Sequence, residues 1–212
     1  MPAILEESKS LPLGEVLKTM QDRIVTKTSY FGVPTQKNPL DFWVYQEMLN
    51  ELKPTVLVEI GNKFGGSALA FAHLFDLIGQ GRIIAVDIDQ SQIHAATRAH
   101  PRITFLEGDA TELAGKVREM IGPEDDVLVI EDSSHTYENT LSVLENYSSL
   151  VKSGGYFIVE DSICYHGLDV GPRPGAYEAI ERFLETNDDF ECDRSRESFL
   201  ITWNPKGFLR RK

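Results

Sequence analysis

The chain has 212 residues, 42% hydrophobic and 25% charged, enough for one α/β domain with an N-terminal extension and too little for two catalytic domains. Its 33 acidic against 21 basic residues leave a net charge of −12, which opposes the electrostatic attraction behind nucleic-acid binding and disfavours such a partner. No apolar run reaches the roughly 20 residues that span a bilayer, the opening MPAILEESKSLPLGE is not patterned as a signal peptide, and Cys164 and Cys192 fit no metal or redox spacing, so a soluble cytoplasmic protein with no membrane partner and no disulfide is expected.

Residues 13–27 and 40–52 carry apolar positions at three- and four-residue spacing and are predicted to be amphipathic helices. Between them, 30–39 holds Gly32, Pro34 and Pro39 and is predicted to be a loop. From Pro54 onward the pattern changes to short runs rich in β-branched residues, TVLVEI (55–60), RIIAVD (82–87), RITFLE (102–107), DVLVIE (126–131) and YFIVED (156–161). They are continuously apolar, as strands buried on both faces are. Helical stretches at 67–78, 91–99, 110–121 and 137–151 alternate with them, which predicts a doubly wound, mostly parallel sheet. A further helix is expected at 176–184, followed by an antiparallel hairpin pairing 190–193 with 198–203, since only four residues separate them. The segment 164–177, with three glycines and two prolines, reads either as a mobile lid or as a plain surface connection.

Ligands in such sheets bind at the carboxyl ends of the strands. The first strand runs into Gly61-Asn62-Lys63-Phe64-Gly65-Gly66-Ser67, a turn in which glycines admit a ligand to the backbone. Lys63 stands where the G-x-G-x-x-G dinucleotide motif needs its second glycine, so an NAD-dependent oxidoreductase is a weak alternative. Asp87 closes the second strand in position to accept from ribose hydroxyls, and Asp109 follows the third, either beside an adenine or as a helix cap. These acids suggest an adenosine ligand carrying a cation, whether in an enzyme or in a binding module without catalysis.

A second acidic set, Asp132 after strand four and Glu160-Asp161 after strand five, is expected to converge on one edge of the sheet, with nothing basic nearby to neutralise it. Carboxylates that close repel one another unless a cation lies between them, and hard oxygen ligands suit Mg²⁺ or a similar divalent ion. His135, three residues beyond Asp132, is the preferred general base. His166 is a weaker candidate, and His73, His94 and His100 are assigned no role.

Glu-x-Gly-x-x-x-Gly-x-Ser at 59–67 resembles the first motif of metal-dependent catechol-type O-methyltransferases. The segments 131–138 (EDSSHTYE), 153–161 (SGGYFIVED) and 193–211 resemble more closely the family named after cephalosporin hydroxylase, which includes rhamnosyl O-methyltransferases. The resemblance implies a class I, Rossmann-like methyltransferase with a seven-stranded sheet over 41–212, behind a helical extension at 1–40 that helps cover the substrate. It implies S-adenosylmethionine contacts from Glu59, Gly61, Gly65, Ser67, Asp87, Asp109 and Ala110, and metal ligation by Asp132, Glu160 and Asp161. His135 falls where the catechol enzymes have their catalytic lysine. The expected activity is methylation of a hydroxyl on a small molecule, whether a phenol, a sugar or a natural product in biosynthesis; a homo-oligomer is left open. No H-x-D iron triad supports the hydroxylase in the family's name.

Overall fold

The computed structural model describes residues 10–212; residues 1–9 of the expected N-terminal extension lie outside the described residues. In chain order the elements are α1 (Leu13–Lys27), β1 (Ser29–Tyr30), β2 (Val33–Pro34), α2 (Pro39–Leu52), β3 (Val56–Ile60), α3 (Gly66–Ile78), β4 (Arg82–Asp87), α4 (Ala95–Arg98) and β5 (Ile103–Glu107). There follow α5 (Ala110–Glu119), β6 (Val127–Glu131), α6 (Tyr137–Tyr147), β7 (Tyr156–Val159), α7 (Ala176–Thr186), β8 (Phe190–Cys192) and β9 (Phe208–Arg211).

Seven strands form one sheet in the order β5-β4-β3-β6-β7-β9-β8. The first five are parallel, and β9 runs antiparallel to both β7 and β8. The order reverses between β3 and β6, which is where open α/β sheets leave a crevice beyond their carboxyl ends. Every residue of β3, β6 and β7 is buried, as their unbroken apolar runs require. Their side chains alternate between two cores: Val56, Val58 and Ile60 face the core that includes Val117, Leu144 and Ile180, whereas Leu57 faces Tyr45, Met48, Phe71 and Phe75 of α2 and α3.

Three expectations change. The hairpin partner of β8 is Phe208–Arg211, and 198–203 is not a strand: Leu200 is 95% exposed, while Phe208 and Leu209 are fully buried between β7 and β8. The predicted helix 91–99 shrinks to Ala95–Arg98, capped by His94. The loop at 30–39 contains the small hairpin β1–β2. Leu17 and Ile24 of α1 pack on Ile163, Leu168 and Trp203, so the described part of the extension lies against the chain that follows β7. Among the described residues no helix is long and apolar enough to cross a membrane.

Candidate active site

Beyond the carboxyl ends of β3, β4 and β6 lies a cavity of about 560 Å³, within the range that small-ligand sites occupy. Its lining includes Gly61, Ser67, Asp87, Asp109 and Ala110 together with Asp132, His135, Asp161, Gln36, Lys37 and Trp203. Gly61 has φ 89°, and a Cβ there would meet the Asp132 carbonyl oxygen at 2.1 Å, so only glycine fits this approach of two strand ends. The other two residues of the first motif support the cavity from outside its wall. Glu59 is fully buried, and a Cβ on Gly65 would meet Thr97 Cγ2 at 2.7 Å.

Asp87 first holds the glycine turn, its Oδ2 accepting from the backbone N–H groups of Asn62 at 2.7 Å and Lys63 at 2.8 Å. Oδ2 is thus engaged by the turn, while Oδ1 carries one long contact, from Asp89 N at 3.2 Å. Asp109 caps α5 through Thr111 N and Glu112 N; its hydrogen bonds, that from the Thr111 hydroxyl foremost, hold its carboxyl below the ordinary range. Asp87→Ala is expected to weaken S-adenosylmethionine binding roughly 10- to 100-fold, the worth of hydrogen bonds to a charged group, and to lower the melting temperature by freeing the turn. Unchanged affinity by calorimetry would remove Asp87 from the cofactor site.

The acids converge as expected, but with a cation among them. Period-two alternation sends Glu59 and Glu160 to the same face of the sheet as α2, and the residues just before α2 deliver Lys37 to that face. Its ammonium, 3% exposed, donates to Asp132 Oδ2 and, at 2.6 Å, to Glu160 Oε1, and lies 3.8 Å from Glu59 Oε1. The expectation that nothing basic neutralises this set is thus overturned. Burial works against the Lys37 charge, yet Asp132, Glu160 and Glu59 outweigh it and hold the amine well above its ordinary pKa. Burial raises Glu160 well above the carboxylate range, reinforced by Asp132, and raises Asp161 to about 6.

His135 Nε2 stands 3.3 Å from Asp161 Oδ2 and 3.8 Å from Asp132 Oδ1, and its Nδ1 is buried without a partner. Burial opposes its charge, but Asp161, Asp132 and Glu131 prevail and raise its pKa. His135 and Asp161 both have positive φ, 56° and 57°, backbone strain of the kind that gathers at functional sites. Atoms of Asp132, His135 and Asp161 lie within 4.8 Å of one another, close enough to hold a metal ion; Glu160, the expected third ligand, is here engaged by Lys37. His166 pairs with Glu178 at 2.9 Å and stacks on Tyr177, and it is absent from the cavity lining.

Lys37, Gln36 and Trp203 had escaped sequence reasoning, because a lone residue in a loop carries no periodicity. The one available signal was charge: buried carboxylates such as Glu59 and Glu160, drawn together with the part-buried Asp132 and Asp161, demand a cation from somewhere in the chain. Gln36 is fixed by donating to Val25 O at 3.0 Å and accepting from Lys63 Nζ at 3.0 Å. Trp203 is placed by Asp41, whose Oδ2 accepts from its backbone N–H at 2.8 Å.

The profile of the rhamnosyl O-methyltransferase/CmcI family matches residues 22–212. The chain belongs to this family. The family's rhamnosyl O-methyltransferase from Mycobacterium leprae (strain TN) is 38% identical over 193 residues, covering 87% of this chain and 83% of that protein. That from Mycobacterium tuberculosis (strain H37Rv) is 35% identical over 191 residues, covering 87% and 78%. Among solved structures, a Mg–SAM form of CmcI aligns with TM-score 0.69 at 25% identity, covering 100% of this chain and 89% of that one. An SAH form of CmcI aligns with TM-score 0.67 at 24% identity, covering 99% and 96%, and shares the fold. Like its family, the chain is an S-adenosylmethionine-dependent O-methyltransferase with a class I, Rossmann-like sheet, which sets aside the NAD-dependent and non-catalytic alternatives.

Proposed function

We propose that this chain methylates a hydroxyl of a sugar or sugar-bearing natural product in the cytoplasm, with a divalent metal ion held by Asp132, Glu160 and Asp161 and with His135 as general base. The observation that carries the reading is the meeting of Asp132, His135 and Asp161 in the wall of the same cavity that Gly61, Asp87 and Asp109 line. The sugar is chosen over a phenol because the matched relatives are rhamnosyl O-methyltransferases.

When bound, S-adenosylmethionine supplies an electrophilic methyl group and the metal ion a Lewis-acid charge beside the acceptor hydroxyl. The donor set suits a hard cation, being carboxylate oxygens just beyond the ends of two adjacent strands. The glycine turn and Asp87 orient the cofactor, a case of catalysis by proximity and orientation. Residues 10–40, represented in the wall by Val25, Gln36 and Lys37, would cover the acceptor and keep water from the reacting groups. His135 Nε2 takes the hydroxyl proton. In a second reading, favoured by the closeness of its Nε2 to Asp161 and Asp132, His135 is itself a ligand and Glu160 stays with Lys37.

The test is transfer of a radiolabelled methyl group from S-adenosylmethionine to a panel of rhamnosides, other glycosides and phenols, with Mg²⁺ and with EDTA. Label is expected in rhamnosides or related glycosides, and only with the metal. Transfer to phenols alone would overturn the sugar assignment, and full transfer in EDTA the metal.

A further inference from the structure

Lys37 touches two of the three expected metal ligands. Its Nζ donates to one oxygen of Asp132 and one of Glu160, so an ion coordinating those oxygens at about 2.0–2.1 Å cannot share the space with the ammonium. Its backbone is held on both sides, through Thr35 N to Thr28 O at 3.0 Å and through the Asn38 cap of α2. Only the side chain is free to shift.

A second seat stands ready. Glu59 Oε1 lies 3.8 Å from Nζ and is a buried carboxylate oxygen with no hydrogen-bond partner, while Oε2 of the same group accepts from Asn62 Nδ2 at 3.2 Å. A buried, unpaired acceptor of this kind costs free energy that a structure ordinarily avoids. Moving Nζ by about 1 Å would bring it to the 2.7–2.9 Å usual for an ammonium–carboxylate contact.

We propose that Lys37 is an internal counter-cation with two seats: on Asp132 and Glu160 while the chain is metal-free, and on Glu59 once a divalent ion takes those two carboxylates. Lys37 stays an ammonium in both. In the first seat it neutralises acids that would otherwise repel one another; in the second it satisfies the orphan oxygen of Glu59 and releases Glu160 for coordination. The inference rests on the reading of Asp132, Glu160 and Asp161 as metal ligands.

Calorimetric titration of Mn²⁺ into EDTA-treated, full-length protein tests it. Lys37→Met removes the competing cation and is expected to tighten Mn²⁺ binding by about 10- to 100-fold, the range over which groups around metal ligands act, while lowering the melting temperature of the metal-free protein. Glu59→Gln removes the charge of the second seat and is expected to weaken Mn²⁺ binding without disturbing the first. Equal or weaker binding by Lys37→Met would mean that Lys37 supports the ion from a fixed place, and would overturn the proposal. Should Lys37→Met fail to fold, Glu59→Gln decides, and unchanged affinity there overturns it too. If wild type and both variants bind no Mn²⁺, the ligand assignment fails and the proposal with it; if wild type binds and only the expected shifts are missing, the proposal alone fails.

Discussion

Asp161→Ala is expected to lower turnover by about 10³-fold or more, since a Lewis acid contributes several kcal/mol at the transition state and about 1.4 kcal/mol is a factor of ten. EDTA should do the same to the wild type, and in both cases S-adenosylmethionine affinity should remain nearly intact, because Asp87 and the glycine turn are not among the residues grouped as the metal site. Asp161 has φ 57°, where alanine is strained by roughly 1–2 kcal/mol, so Asp161→Asn, which tolerates that backbone, is the companion variant. It also gives a stability signature. Burial raises the Asp161 carboxyl to about 6, so its contribution to stability is full below the ordinary carboxylate range and is lost as pH rises through about 6. The metal-free Asp161→Asn protein should therefore gain on the metal-free wild type in melting temperature as pH rises from the ordinary carboxylate range to about 6 and hold that gain above it, while losing the stabilisation that added Mg²⁺ gives the wild type. Full turnover in Asp161→Ala, or in EDTA, would end the metal-dependent account.

His135→Gln is expected to lower turnover by roughly 10²- to 10⁴-fold, the usual contribution of a positioned base. The neutral imidazole accepts the proton, so wild-type turnover should rise with pH through the histidine's pKa. Burial opposes the charged ring, and Asp161, Asp132 and Glu131 outweigh it to raise that pKa; a bound divalent ion offsets those carboxylates and moves the limb back toward neutrality. The variant should lose this acidic limb and keep its Mg²⁺ affinity. If it loses Mg²⁺ affinity along with turnover, His135 is a ligand, the reading its Nε2 contacts also allow. If rate and limb both survive, His135 merely shapes the turn before α6.

What the sequence determined by itself is local and periodic. Five largely apolar runs separated by helical stretches dictated a parallel sheet, because strands buried on both faces, as β3, β6 and β7 are, have no solvent side to alternate with, although the edge strand β5 exposes Thr104 and Glu107. Acids following those runs had to emerge at the carboxyl edge, and so Asp87, Asp109, Asp132 and Asp161 were legible as a site before any coordinates. The Asp132–His135 spacing was legible too, since three residues of one turn cannot separate far. Contacts that close across long stretches of chain were decided only by tertiary structure. Phe208–Arg211 is four residues ending in two arginines, a poor strand by pattern, and it becomes one only because β7 and β8 present open edges on either side of it. The more apolar 198–203 loses that place and instead delivers Trp203 to the cavity. Lys37 reaches Glu160 across 123 residues, and no spacing rule extends that far. A buried charge is paired by whatever cation the fold carries to it, and that depends on which sheet face Glu59 and Glu160 occupy and on which loop lies above them.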